Sequence, residues 1–156
     1  MVSENRLAEE AKERVFRMVE EHNVKFVRMW FTDILGFLKS FSITIEELGR
    51  ALEEGLGFDG SSIEGFARVD ESDLIARPDP YTFSLVPWRP MDHATAKMFC
   101  DIYWPGGQPF EGDPRYVLKM NLKRASDMGY SCYVGPELEY FYFADNQNTR
   151  PLDSGG

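Results

Sequence analysis

Phe58-Asp59-Gly60-Ser61-Ser62-Ile63-Glu64-Gly65-Phe66 is the stretch around which the rest of the sequence can be read. It is a polar loop interrupted by glycines, and its Asp-Gly-Ser-Ser part carries one carboxylate and two hydroxyls. Loops of this composition often carry function, because a rigid scaffold positions them while their polar groups stay reachable. The same residue types also build ordinary turns, so composition alone leaves a purely structural turn open.

A second polar motif, Gly135-Pro136-Glu137-Leu138-Glu139-Tyr140-Phe141, lies far downstream. The alternation over residues 137–143 predicts a strand, and a strand would place Glu137 and Glu139 on one face. Two like charges on one face repel each other unless a cation compensates them. Hard divalent ions such as Mg²⁺ and Mn²⁺ take oxygen ligands of this kind. The pattern therefore indicates either a metal site or an exposed acidic face, and it leaves both open.

The composition excludes several classes of protein. With 156 residues, 43% of them apolar, the chain can form one sizeable core, or one small domain and the beginning of another. A net charge of −9 without a Lys/Arg cluster argues against nucleic-acid binding. No apolar run reaches the roughly 18 residues of a membrane span, and the N-terminus does not resemble a secretory signal. Cys100 and Cys132 are predicted to be buried, reduced thiols of a cytoplasmic protein.

The first two thirds of the chain read as a small α+β unit. Helical spacing of apolar residues predicts a helix over 3–22. Thr44 followed by Glu47 has the spacing of a capping box, and the helix that it opens should end at Gly55. Runs of strand-forming residues, the first two joined as a hairpin, predict strands over 24–31, 37–43, 74–77, 82–88 and 94–103.

A Pro- and Gly-rich segment over 104–112 is predicted to be a linker. Asp113-Pro114 then has the signature of a helix start, with a capping acid and a proline in the first turn. That helix should end at Gly129, and strands are predicted over 131–134 and 137–143. One helix and two strands cannot bury their own apolar faces, so an incomplete second domain is expected.

These motifs together resemble the bacterial and archaeal glutamine synthetase family along essentially the whole chain. Residues 58–63 are similar to the Asp-Gly-Ser-Ser loop of the family's N-terminal β-grasp domain. Residues 135–141 resemble the first metal-binding strand of its catalytic domain. The intervening segments 71–73, 77–79, 100–102 and 112–115 are also similar. The resemblance implies an N-terminal helix over 1–22, a β-grasp domain over 23–106, a linker over 107–112 and the start of a catalytic domain over 113–156.

The resemblance implies a ligase that joins ammonia to the γ-carboxylate of L-glutamate, with ATP as substrate and γ-glutamyl phosphate as intermediate. Two Mg²⁺ or Mn²⁺ ions are implied, with Glu139 a ligand of the metal nearer glutamate and Glu137 a ligand of the metal at the ATP phosphates. Asp59 matches the aspartate that binds ammonium and accepts its proton, and Ser62 matches a serine that supports it. No nucleotide-binding residue can be assigned.

The family also implies a homo-oligomer, a double-ring dodecamer in which the β-grasp loop of one subunit reaches its neighbour's catalytic domain. Phe66 stands where many relatives have a tryptophan nearby. Family members are several times longer, so the chain by itself is expected to be inactive. Two alternatives remain open. One is a γ-glutamyl ligase of the same family that uses an amine other than ammonia, and the other is a non-catalytic β-grasp fragment that acts as an interaction module.

Overall fold

The structure is a computed structural model that describes residues 2–60, 73–90, 93–147 and 152. Helix α1 (Val2–Glu21) is amphipathic and buries Ala11, Val15 and Val19 on one face. This face packs into the main core, in agreement with the predicted helix over 3–22. The outer face is charged and carries the exposed Arg6–Glu10 ion pair, which spans one helical turn.

The strands of the described ranges are β1 (Phe26–Thr32), β2 (Leu38–Thr44), β3 (Leu56–Asp59), β4 (Asp73–Pro78), β5 (Ser84–Leu85) and β6 (Thr95–Tyr103). These six form one mixed sheet in the order β2-β1-β6-β4-β3, with β5 paired to β6. The β1–β6 pair is parallel, and the remaining pairs are antiparallel. This α+β arrangement agrees with the predicted fold class.

The core lies between the sheet and two helices, α1 and α2 (Leu48–Glu54). Alternate residues of β1 and β6 point into it, because successive side chains of a strand face opposite sides. From α2, Leu48 and Ala51 are fully buried against the same cluster. The inward-facing residues of the two strands are Val27, Met29, Phe31, Ala96, Met98, Cys100 and Ile102.

The hairpin between β1 and β2 is confirmed, and a buried aspartate organises its turn. Asp33 Oδ1 accepts hydrogen bonds from the backbone N–H groups of Leu35 (3.0 Å) and Phe37 (2.8 Å). The other oxygen, Oδ2, has no hydrogen-bond partner and lies 3.5 Å from the ammonium of Lys39. The turn is therefore set by a side chain that bonds its own backbone, as short aspartate turns commonly are.

The predicted capping box is wrong in its detail. Residues Ile45–Glu47 form a 3₁₀ turn, and helix α2 (Leu48–Glu54) starts only afterwards. The side chain of Thr44 does not cap a backbone N–H group. It bonds the carboxylate of Glu46 instead, and this hydrogen bond is the largest cause that lowers the pKa of Glu46. The predicted end of the helix at Gly55 is confirmed, with φ +81°.

One further expectation needs correction. The predicted strand over 82–88 is much shorter, because a 3₁₀ turn at Pro80–Thr82 precedes β5 and a turn closed by the bond from Arg89 N–H to the Val86 carbonyl follows it. The segment over 104–112, which is predicted to be a linker, contacts the end of the sheet. Trp104 and Phe110 pack edge to face with ring centroids 4.9 Å apart, and Tyr103 bridges to Pro109.

Helix α3 (Pro114–Asp127) is capped by Asp113 and is followed by Gly129 at φ +83°, as predicted. The two strands predicted after it are not formed, since residues 130–142 have neither helix nor strand. Their apolar side chains are exposed, for example Tyr133 at 93% and Leu138 at 82%. A strand needs a hydrogen-bonded neighbour, and the described residues supply this segment with little beyond the bond from Leu152 N–H to the Tyr142 carbonyl.

Candidate active site

Asp59 is the last residue of β3, at the edge of the sheet. It pairs with Asp73 of β4, so its backbone is held in the ladder. The preceding residue, Phe58, anchors the strand end by packing its ring 5.0 Å from that of Phe31 and 6.0 Å from that of Phe41. Alternation along the strand turns Phe58 toward this aromatic cluster and leaves Asp59 exposed. The sheet and the packing of Phe58 therefore hold the backbone of Asp59 rigidly in place.

An open groove of about 380 Å³ lies beside Asp59. The three rings of the aromatic cluster line it together with one cation, Lys39, and one carboxylate, Asp59. A carboxylate attracts cations, and an apolar wall beside it strengthens its field, whereas the ammonium of Lys39 in the same lining opposes that attraction. Asp59 is the carboxylate of this groove that can attract a compact cation. The lining of the groove consists of Phe31, Lys39, Ser40, Phe41, Gly57, Phe58 and Asp59.

The remainder of the predicted loop, including Ser62, lies outside the described residues. The predicted role of Ser62 in supporting Asp59 stays a prediction. The described part ends at Gly60, which is buried.

Glu137 and Glu139 lie in the exposed segment after α3 and not on a strand. In the part of the chain that the structure describes, neither carboxylate takes part in a hydrogen bond or an ion pair, and no group of three or more potential metal ligands occurs. The groove beside Asp59 is lined by β1, β2 and β3, and the two glutamates do not contribute to it. The donor chemistry fits a hard divalent ion, but two carboxylates are too few to enclose one.

The two cysteines differ from the expectation of a buried pair. Both are free thiols, but Cys100 is buried in the core and Cys132 is exposed after α3. Burial raises the pKa of the Cys100 thiol, with the nearby Asp101 carboxylate adding to the effect. Cys100 is therefore an inert core residue at neutral pH.

A charge cluster around Arg115 was not anticipated from the sequence. Asp101 accepts hydrogen bonds from Arg115 and Lys119 of helix α3. Lys97, on the same strand as Asp101, lies over the rings of Trp30 (4.6 Å) and Phe99 (4.9 Å). Sequence spacing within β6 could not reveal Arg115, Lys119 or Trp30 as partners, because these residues belong to other elements.

None of the helices in the described ranges has the length and apolar character that crossing a bilayer requires.

Two family profiles match consecutive parts of the chain. The profile described as "Glutamine synthetase, beta-Grasp domain" matches residues 23–105, which is more than half of the chain. The profile described as "Glutamine synthetase, catalytic domain" matches residues 111–155.

Curated proteins named glutamine synthetase are similar over nearly the whole chain. The protein from Mycolicibacterium smegmatis is 54% identical over 93% of this chain and 34% of its own length. The protein from Methanosarcina mazei is 51% identical over 93% of this chain and 33% of its own length. The chain thus spans about a third of the length of the curated relatives it matches.

Solved structures show the same fold. A structure titled "GmaS/ADP complex-Conformation 1" has a TM-score of 0.65 at 27% identity, covering 72% of this chain and 25% of the other. A Plasmodium falciparum glutamine synthetase has a TM-score of 0.67 at 24% identity, covering 78% of this chain and 23% of the other. The similarity to the Plasmodium falciparum protein concerns the fold alone.

Proposed function

The chain belongs to the glutamine synthetase family, and we therefore propose that it forms part of a ligase that joins ammonia to the γ-carboxylate of L-glutamate. The observation that supports this most strongly is the ordered pair of profile matches over residues 23–105 and 111–155, with Asp59 in the first and the glutamate pair in the second. ATP is the second substrate. Its terminal phosphoryl group is transferred to the poorly electrophilic γ-carboxylate, and the resulting γ-glutamyl phosphate carries phosphate as a leaving group.

Asp59 is the proposed catalytic residue of the β-grasp domain. Asp59 is exposed and lines a groove together with three aromatic side chains, and its carboxylate can attract a compact cation such as ammonium. The carboxylate favours ammonium binding and then accepts a proton, leaving the nucleophilic amine. Ser62 is proposed to support this aspartate through its hydroxyl. The same reasoning favours ammonia over a bulkier amine.

Glu137 and Glu139 are the proposed metal ligands of this chain. Glu139 would hold the Mg²⁺ or Mn²⁺ ion nearer glutamate, and Glu137 the ion nearer the ATP phosphates. Such ions, when bound, neutralise charge on the transferring phosphoryl group. Because two carboxylates cannot enclose two metals, we expect the 156-residue chain by itself to make no glutamine.

We further propose that the site is completed between subunits of a ring of identical chains, with the Asp59 loop of one subunit facing its neighbour. The domain organisation proposed from the sequence, with the β-grasp domain over 23–106 and the catalytic part from 113, accords with the two profile spans. Two free thiols suit a reducing compartment, and we place the activity in the cytoplasm.

A chimera tests this function. This chain replaces the matching third of the Mycolicibacterium smegmatis relative, and glutamine formation is measured with ammonia, glutamate, ATP and Mg²⁺. We expect activity in the chimera and a loss of about 10²- to 10⁴-fold with Asp59→Asn, because a positioned proton acceptor contributes that much. Glu137→Gln and Glu139→Gln should raise the metal concentration needed for half-maximal activity.

The matched control is Glu20→Gln, which changes an exposed carboxylate on α1 and should leave glutamine formation unchanged. An assembled chimera whose activity is insensitive to Asp59→Asn would overturn the proposed role of Asp59. An assembled chimera without any glutamine formation would overturn the proposed function.

A further inference from the structure

Helix α3 lies beside the sheet with very little apolar packing. None of its 14 residues is buried, although a helix of this length normally hides one face. Apolar side chains along it remain about half exposed, including Val117 (49%) and Leu118 (57%). Within this chain, hydrophobic contact therefore contributes little to the orientation of the helix.

The first polar contact comes from the residue that caps the helix. Asp113 is 1% exposed, and its two carboxylate oxygens bond different elements. Oδ1 accepts from the backbone N–H of Arg115 in α3 at 3.0 Å, and Oδ2 accepts from that of Ile102 in β6 at 3.0 Å. Burial raises the pKa of Asp113, and the two backbone hydrogen bonds oppose this effect. The start of α3 is thereby tied to the central strand.

The second contact is made by Arg115, whose guanidinium joins two acids from different elements. Nε donates to Asp101 Oδ1 of β6 at 2.9 Å, and Nη2 donates to Asp79 Oδ2 at 2.7 Å. Asp79 belongs to the turn between β4 and β5, where it also accepts from the backbone N–H of Tyr81 at 3.1 Å. All three side chains of the cluster are mostly buried, with 24% exposure for Arg115 and 17% for Asp101.

One turn further along α3, the ammonium of Lys119 reaches Asp101 as well. The cap fixes where the helix begins, and the Arg115 and Lys119 contacts restrict the direction in which it runs. A planar guanidinium can satisfy two carboxylates in fixed directions, which a lysine ammonium cannot do in the same way.

We propose that Arg115 is a positioning residue, and that its contacts with Asp79 and Asp101 set the angle between α3 and the β-grasp sheet. This angle determines where the chain after α3 begins. A helix of 14 residues is about 21 Å long, so a tilt of about 10° moves its far end by about 4 Å. The segment with Glu137 and Glu139 follows that end, whereas Asp59 stays with the sheet.

The structural part of this inference is independent of the proposed function, and only its catalytic consequence rests on that function. Misplacement of reacting groups by about 1 Å can cost about 10²-fold in rate. A loosened α3 should therefore reduce turnover without removing any group that contacts substrate.

Distance measurements between two spin labels test the structural part. Ser126→Cys places one label near the end of α3 and Ser42→Cys places the other on β2, in a chain whose exposed Cys132 is replaced by serine. The parent chain should give one narrow distance distribution. Arg115→Met should broaden it at least twofold, and Arg115→Lys should broaden it to a smaller extent.

Arg124→Met is the matched control, because Arg124 is an exposed cation in the last turn of the same helix. It should leave the distribution narrow. Backbone amide spectra of β1 and β6 should be native in all variants, so that a broadened distance reports the helix angle and not unfolding. A distribution as narrow in Arg115→Met as in the parent would overturn the proposal.

The catalytic consequence is tested in the chimera described above. Arg115→Met should lower kcat at least tenfold while KM for ATP changes less than twofold, and Arg115→Lys should restore part of the loss. Unchanged kcat in Arg115→Met would overturn the positioning role in the reaction. Failure of the proposed function is recognised separately, because the assembled chimera with Arg115 intact would then form no glutamine.

Discussion

Gly55→Ala, which adds one methyl group, is predicted to be strongly destabilising. Gly55 ends α2 with φ +81° and ψ −175°, a conformation that costs other residues about 1–3 kcal/mol. An added Cβ would also lie 2.6 Å from Cγ2 of Ile75 and 2.9 Å from Cγ of Arg77. Both atoms are close to the backbone of β4, so they cannot swing away cheaply.

Overpacking of this kind costs about 1–3 kcal/mol, so the expected total destabilisation is about 2–6 kcal/mol. This is a large share of the roughly 5–15 kcal/mol by which small domains are stable. Gly55 directly precedes β3, and Asp59 is the last residue of that strand. A variant that folds at all should therefore also show altered amide signals at Asp59.

Equilibrium unfolding in urea, followed by tryptophan fluorescence and far-UV circular dichroism, measures the effect. Gly36→Ala is the matched control, because Gly36 has φ +88° but nothing within 4 Å of an added Cβ. Gly36→Ala should be destabilised by the unfavourable positive φ but not by a steric clash of the added methyl group. Equal destabilisation of the two variants, within about 0.5 kcal/mol, would refute the packing component of the reasoning.

Two more predictions concern stability. Hydrogen bonds from Lys12 to Glu53 (2.7 Å) and Glu9 (3.1 Å) raise the pKa of Lys12 above its ordinary 10.5, the bond to Glu53 being the largest cause. The resulting stabilisation is complete below that value and is lost as pH rises through the higher folded pKa. Urea unfolding should therefore show that Lys12→Met has a lower free energy of unfolding than the parent at neutral pH, and that this difference becomes smaller in strongly alkaline buffer. A difference in free energy of unfolding that does not change with pH would contradict this. Leu48→Ala should cost about 2–5 kcal/mol in the same assay because Leu48 is fully buried, whereas Leu138→Ala, 82% exposed, should change stability by less than about 0.5 kcal/mol.

Features that depend on neighbouring residues could be read from the sequence. The period of α1, the β1–β2 hairpin, the start of α3 at Asp113-Pro114 and the helix ends at Gly55 and Gly129 all follow from local sterics and capping. The family could be identified for the same reason, because its motifs are short local runs in a characteristic order.

Local patterns failed where two conformations compete closely. Thr44 had the spacing of a capping residue, but its hydroxyl bonds the side chain of Glu46, and a 3₁₀ turn precedes α2. The segment over 137–143 alternates like a strand, but alternation supplies no hydrogen-bonded neighbour. Whether Glu137 and Glu139 share a face as proposed depends on such a neighbour.

Tertiary structure alone decided which distant elements meet. The parallel pairing of β1 with β6 joins Phe26 to Thr95, and Arg115 reaches Asp79 across 36 positions of sequence. Such contacts produce no repeating pattern of residue types in the sequence, because each depends on the path of the whole chain between its partners. The free energy that favours them comes from burying the common core and from pairing charges away from water, and neither is a property of any single segment.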